Sequence, residues 1–379
     1  MSISFSSQIV IEYQHFDQLF AALSELGYKI AAPTVREGAI VYDEVTSVHE
    51  LPCGWTDVQN AGGYELQKRA DNALFGYNVG PHSWKKFLHP PSLKLWEAQK
   101  NEQGFEICPE VNEVPRYAFI GVRSCELHAI KIQDRVFMEG PYVDSTYEKR
   151  RKESFIVAVN CGQAGETCFC SSMNTGPQVS EGFDLALSEV MEEEKHYFVV
   201  SVGSIEGQAL LEKIVHREAR AEEIQLAMDT VDEAREQMGR SVDTFNIQSL
   251  LIDNHDHARW EEVAERCLSC GNCTMVCPTC FCTAVEDVTD LTGEKAQRVR
   301  RWDSCFTMDF SYLHGGSVRS SVKSRYRQWL THKFSTWIDQ FGSSGCVGCG
   351  RCITWCPVGI DVTEEITHIC DKDKNDGIT

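Results

Sequence analysis

Twice in the chain, four cysteines fall at a spacing that fixes what they can bind. Cys267, Cys270, Cys273 and Cys277 form a Cys-x2-Cys-x2-Cys-x3-Cys-Pro run ending at Pro278. The run recurs 79 residues later as Cys346, Cys349, Cys352 and Cys356, ending at Pro357. In such a run three thiolates of a short loop hold three irons of a cubane, while the fourth points away and ligates the other cluster. The spacing therefore predicts two 4Fe-4S clusters: cluster one on Cys267, Cys270, Cys273 and Cys356, cluster two on Cys346, Cys349, Cys352 and Cys277. Gly271 and Gly350 suit the tight backbone that wraps a cluster, and the two prolines turn the chain after the crossing ligand. Zinc is the alternative, but zinc sites normally draw paired Cys-x2-Cys elements from two places and close with four ligands. Two copies are too few for a solenoid, so the repeat is a duplicated cofactor site.

The rest of the composition agrees with a redox protein of the cytoplasm. The chain has 18 cysteines in 379 residues, and its start, where Lys29 is the first basic residue, has no secretory n-region. In a reducing compartment thiols at that density point to metal rather than to disulfides. A hydrophobic share of 42% supplies material for two or three cored domains and excludes a disordered chain. A net charge of -20 repels phosphate backbones and anionic lipid surfaces, which excludes nucleic acid as a partner. No apolar run approaches the ~18 residues of a spanning helix, so no membrane insertion is expected.

The pattern changes near residue 240. Residues 1–240 read as an α/β or α+β domain. Helical periodicity runs over Phe16–Gly27, Glu126–Met138 and Ile205–Val215, with strand-like runs at Ala39–Tyr42, Tyr117–Val122, Ser154–Val159 and Tyr197–Val202. A charged helical stretch, Arg217–Arg240, serves as a connector. Residues 241–379 read as a helical, ferredoxin-like dicluster domain, because 68 residues separate Cys277 from Cys346 and carry helical patterning around Val318–Ile338.

A third cluster site is expected in the first domain. Cys125 stands just beyond the carboxyl end of the Tyr117–Val122 strand and Cys161 just beyond that of Ser154–Val159, where α/β sheets gather ligands. Cys168 and Cys170 follow closely, so four thiolates could converge. Buried inert cysteines and a Cys168/Cys170 redox pair are the alternatives. Cys280, Cys282 and Cys305 are expected to pack against cluster one, with an additional site as the alternative; Cys53, Cys108 and Cys370 carry no motif. A local basic excess (Lys295, Arg298, Arg300, Arg301, Arg319, Lys323, Arg325, Arg327 and Lys333) would raise cluster potentials or dock an acidic partner, unless it is a solvated helix face. His255 and His257 are expected to be surface polar residues. There is no Gly-x-Gly-x-x-Gly fingerprint and no phosphate loop, so no catalytic residues are assigned.

Several strings point to one family. Gly121-Val-Arg-Ser-Cys-Glu-Leu-His-Ala-Ile-Lys-Ile-Gln-Asp-Arg135, Glu166-Thr-Cys-Phe-Cys-Ser-Ser-Met173, Cys277-Pro-Thr-Cys-Phe-Cys282, Arg301-Trp-Asp-Ser-Cys305 and the two cysteine runs occur in its order. From about Gly80 to Asp361 the chain resembles the iron-sulfur β subunit of cytoplasmic sulfhydrogenases, and equally the corresponding 4Fe-4S dicluster component of anaerobic sulfite reductase. The resemblance implies an electron-transfer subunit beside a flavoprotein that binds FAD and NAD(P)H, serving the catalytic subunit of a hydrogenase or sulfite reductase type complex. Gly315-Gly316-Ser317-Val318 departs from the family's Gly-His-Asn-Phe string. A self-contained reductase of a sulfur compound or other small substrate, and a scaffold whose clusters merely hold the fold, are the alternative readings.

Overall fold

The structure, a computed structural model, describes residues 8–109, 114–192 and 195–370. The first half is built on a mixed eight-stranded sheet. Four central strands, Lys29–Arg36, Tyr117–Val122, Phe155–Val159 and Leu185–Glu192, lie parallel and in chain order. Ala39–Val45 closes one edge antiparallel; Lys195–Val202, Ile9–Glu12 and Arg217–Glu218 extend the other. Phe155–Val159 is apolar and buried throughout, as a parallel strand covered on both faces must be. The helix Asp17–Glu25 lays Leu19, Phe20, Ala22 and Leu23 on this core and stops before Gly27, whose φ of +81° only glycine adopts cheaply.

The connector is shorter than its charge pattern: Ala221–Glu236 is helical, while Arg217 and Glu218 join the sheet edge. The expected helix at Val318–Ile338 starts at Val322, runs to Thr331, and continues through a π-turn at His332–Thr336 into Trp337–Phe341. Among the described residues no helix is long and apolar enough to cross a membrane.

The second half is not wholly helical. Thr283–Thr289 and Lys295–Trp302 form an antiparallel hairpin that pairs with Ser92–Asn101 and, through it, with Gly104–Pro109. This small sheet draws strands from both halves, so the chain does not divide cleanly at residue 240. Thr283–Thr289 is largely exposed and Lys295–Trp302 is half-buried and rich in basic residues, so neither shows the apolar alternation that reveals a strand.

A buried ion pair also spans the halves. Arg351 lies between Cys349 and Cys352, and its Nη2 donates to Oε1 of Glu126 at 2.6 Å, with side chains 6% and 1% exposed. Glu126 further accepts from the Tyr42 hydroxyl, from Trp84 Nε1 at 3.1 Å and from the Arg123 amide at 3.3 Å. Arg351 Nε donates to the Gly80 carbonyl at 3.2 Å. Removing one partner strands a charge in the interior, so Glu126→Ala is expected to cost about 3–5 kcal/mol of stability. Denaturant unfolding of the anaerobically prepared variant checks it; a loss below about 1 kcal/mol would show that the pair does not hold the halves together.

Candidate metal centres

The two cysteine runs take the same backbone shape. Gly271 at φ +76° and Gly350 at φ +73° each lead into a single helical turn, Asn272–Met275 and Arg351–Thr354. Cys273 and Cys352 therefore occupy equivalent places, and the sequence repeat is a structural one.

The runs interlock. Cys267, Cys270 and Cys273 line one cavity with Cys356 of the other run, under an apolar roof that includes Phe306, Tyr326, Trp329 and Val362. On the far side of Cys352 the second set gathers. Burial raises the Cys352 thiol well above its ordinary range, and the charges that raise it further are, in order, those of Cys346, Cys349 and Cys277, then that of Cys273 in the first set. Within this set Cys277 is lowered, first by a hydrogen bond from Cys280, then, against the opposing effect of burial, by the Lys333 ammonium. Lys333 is itself buried and donates from Nζ to Cys277 Sγ at 3.3 Å, Thr279 Oγ1 at 2.6 Å and the Gly345 carbonyl at 3.2 Å. The π-turn carries it there, an irregularity of the kind that recurs at functional sites.

The four first-half cysteines share a third cavity. Cys125, Cys161, Cys168 and Cys170 line it together with Arg123, Met238, Cys349 and Arg351. Tyr117–Val122 and Phe155–Val159 are neighbouring parallel strands, so the residues after their carboxyl ends, Cys125 and Cys161, come together. Cys168 and Cys170 arrive on a loop pressed against the second run. The Phe169 amide donates to the Gly348 carbonyl at 2.8 Å. A Cβ on Gly348 would meet the Phe169 carbonyl at 2.6 Å, and one on Gly350 the Thr167 carbonyl at 2.4 Å. Arg123, buried, spends its guanidinium donors on the carbonyls of Phe75 at 2.7 Å, Tyr77 at 3.1 Å and Asn160 at 3.2 Å, which leaves its charge facing the Cys161 thiol.

This donor chemistry fits iron-sulfur clusters. Both cavities, the first and the third, are lined by four soft thiols of one set and a fifth from the second set, Cys352 or Cys349, with apolar or cationic walls, the surroundings of an anionic cluster rather than a hydrated ion. Among the described residues no three Cys, His, Asp or Glu side chains converge closely enough to hold a single metal ion. Burial pushes the thiols of Cys168 and Cys346 up to about 12, and a bound cluster would take them as thiolates, so its binding releases protons.

The remaining expectations fare unevenly. Cys280 bonds Cys277 beside the second set instead of packing on the first, whereas Cys305 does face Cys273. Cys53 donates to the Asn72 carbonyl at 3.3 Å, and Cys108 is exposed. The basic excess is largely neutralised by carboxylates from elsewhere in the chain. Arg298 pairs with Asp287 at 2.7 Å, Arg301 with Glu286 at 3.1 Å, Lys323 with Glu261 at 3.1 Å, Lys295 with Glu97 at 3.9 Å, and Arg300 with Asp144. Arg325 and Lys333 turn inward, so neither a docking patch nor a wholly solvated face describes the group. His255 is exposed beside Asp256, and His257 Nδ1 accepts the Arg259 amide at 3.0 Å, ahead of the helix Arg259–Arg266. Gly316 and Ser317, half-buried, form a small hairpin with the exposed Tyr312 and Leu313. Lys85, Arg123, Glu126 and Arg351 carry no motif. Only the placement of Arg123, Glu126 and Arg351 beside ligand-type cysteines hinted at a part in the sites.

Residues 266–360 match the model of a 4Fe-4S dicluster domain. Over 366 residues the chain is 30% identical to sulfhydrogenase 2 subunit beta of Pyrococcus furiosus, covering 95% of this chain and 98% of that one. The chain belongs to the sulfhydrogenase beta-subunit family. No solved structure matches it. Family membership and the dicluster domain make it a 4Fe-4S protein, with the interlocked runs inside the matched span.

The crossing arrangement has a direct consequence. Cys277→Ser is expected to alter the cluster associated with Cys346, Cys349 and Cys352 and to spare that of Cys267, Cys270 and Cys273. Lys333→Met, which removes a hydrogen-bonded cation from a sulfur, should shift the second cluster's potential to more negative values. Potentiometric titration followed by EPR checks both; a change confined to the first cluster in Cys277→Ser would overturn the crossing.

Proposed function

We propose that the chain is the iron-sulfur electron-transfer subunit of a hydrogenase-type redox complex, relaying single electrons between a flavoprotein partner that binds FAD and NAD(P)H and the catalytic subunit. Three 4Fe-4S clusters carry the relay: one on Cys267, Cys270, Cys273 and Cys356, one on Cys346, Cys349, Cys352 and Cys277, and one on Cys125, Cys161, Cys168 and Cys170. A bound cluster supplies the one-electron couple that no amino-acid side chain here offers.

The observation that carries this reading is the sharing of walls. Cys349 of the second set lines the third cavity, and Cys352 of the same set lines the first. The three sites therefore form a contiguous row with the second in the middle, which is what a relay requires and a scaffold does not. At the first site Cys270 is exposed beside Leu268, 64% exposed, giving the row an end at the surface. Arg123 at the third site and Lys333 at the second place fixed positive charge where each added electron would sit. The name of the Pyrococcus furiosus relative, a sulfhydrogenase subunit, supports the class of complex. The chain's lack of a dinucleotide fingerprint supports a separate partner for NAD(P)H.

Anaerobically prepared protein should contain about 12 iron atoms and as many labile sulfides per chain if three cubanes are present, against about eight for two. The isolated chain should not oxidise NAD(P)H, and adding the flavoprotein should restore cluster reduction. A value near eight with intact spectra removes the third cluster. Rapid bleaching by NAD(P)H in a flavin-free preparation would overturn the relay and favour a self-contained reductase.

A further inference from the structure

The aromatic roof of the first cavity carries two polar atoms. Tyr326 and Trp329 stand about one turn apart on the helix Val322–Thr331, and both line the cavity that holds Cys267, Cys270, Cys273 and Cys356. Tyr326 is 2% exposed and Trp329 5%. Tyr326 Oη and Trp329 Nε1 are shut off from solvent, and among the described residues neither has a hydrogen-bond partner. A buried donor left unsatisfied costs about 1–3 kcal/mol, and the tyrosine hydroxyl and tryptophan N–H usually find a partner when buried. Phenylalanine would roof the cavity without that cost.

Both side chains are held in place. Between ring centroids, Phe306 stands 6.4 Å from Tyr326 and 5.9 Å from Trp329, while Tyr326 and Trp329 lie 5.7 Å apart with their planes at 51°. Trp260 adds a further ring 6.2 Å from Tyr326. Arg325, on the same helix, ties it to the cysteine loop: its Nη2 donates to Ser269 Oγ at 3.3 Å, and its Nη1 to the carbonyls of Arg319 and Ser320 at 3.0 Å. Ser269 lies between Cys267 and Cys270, so the two donors keep a fixed place relative to the thiols. No cysteine sulfur accepts from either atom, and no charged side chain lines this cavity.

We propose that Tyr326 and Trp329 donate their O–H and N–H to sulfurs of the cluster on the first cysteine set and thereby raise its reduction potential. The proposal rests on the reading that those four cysteines bind a 4Fe-4S cluster. A hydrogen bond to a sulfur is stronger when the acceptor carries more negative charge, so each donor favours the reduced form over the oxidised one. At the second site a buried cation, Lys333, has this part. At the first, two neutral donors take it.

The test uses the full chain, anaerobic and with its clusters loaded, in potentiometric titrations followed by EPR. The signal of the first cluster is identified as the one missing from Cys270→Ala. Tyr326→Phe keeps the ring and removes only the hydroxyl. Its expected result is wild-type iron content, reduction of the first cluster at least about threefold less favourable, and an unmoved second cluster. Proton ENDOR of the reduced first cluster should lose one coupled proton in Tyr326→Phe and a different one in Trp329→Phe. Because the tryptophan variant also loses volume, wild-type protein labelled with 15N in its indole nitrogens provides a second reading: a nitrogen coupling in the same signal is expected. A change below threefold in Tyr326→Phe, an equal shift of both clusters, or an unlabelled-like spectrum from the 15N protein overturns the proposal. So does the loss of about four irons in Tyr326→Phe, since the residue would then be needed to build the site rather than to set its potential. If Cys270→Ala loses neither iron nor signal, the cluster assignment fails and the proposal with it; if that variant behaves as expected and the potentials do not move, the assignment stands and the donors alone are refuted.

Discussion

The architecture hangs on one buried charge pair. Glu126 follows Cys125 and Arg351 precedes Cys352, so a single ion pair ties a cysteine of the third site to one of the second. Each charge is expensive in an apolar interior, and each is tolerated because the other is there, with Tyr42, Trp84 and the Gly80 carbonyl saturating the remaining hydrogen-bonding positions. The pair is a constraint more than a source of net stability: it forbids the two halves from sliding, because any displacement leaves a charge without its partner. The contiguity of the three thiol sites follows from it.

Much of this was legible in the sequence, for reasons that can be named. The two runs are short, local and rigidly spaced, so their cysteines could be assigned to sets without knowing the fold. The strands Tyr117–Val122 and Phe155–Val159 stood out because parallel strands buried on both faces are continuous apolar runs, and the cysteines behind them inherited that clarity. What escaped was non-local. The hairpin at Thr283–Trp302 takes its partner from Ser92–Asn101, nearly two hundred residues away, as no local pattern announces. The basic residues of that region looked unopposed because their carboxylates, such as Asp144 and Glu97, lie far off in sequence. Lys333 reads as one more surface lysine until the π-turn rotates it onto Cys277.

The interior combines two kinds of core. The first half is an ordinary apolar core of sheet and helices. The second packs aromatic side chains such as Trp260, Tyr326, Trp329 and Phe334 around cysteines. Burial raises the thiols there, and they would bind a cluster as thiolates, so cluster binding is coupled to proton release and its free energy enters the stability of the fold.

The backbone contact between residues 167–170 and 348–350 has a consequence for how the protein comes into being. Cys125, Cys161, Cys168 and Cys170 leave the ribosome long before Gly348 and Gly350, yet those glycines supply the surface on which the Cys168–Cys170 loop rests. During synthesis the early cysteines must wait, reduced and without their wall, while nearly half the chain is still to be made. The pocket whose cysteines are made first is thus completed only once the second cysteine run has been made.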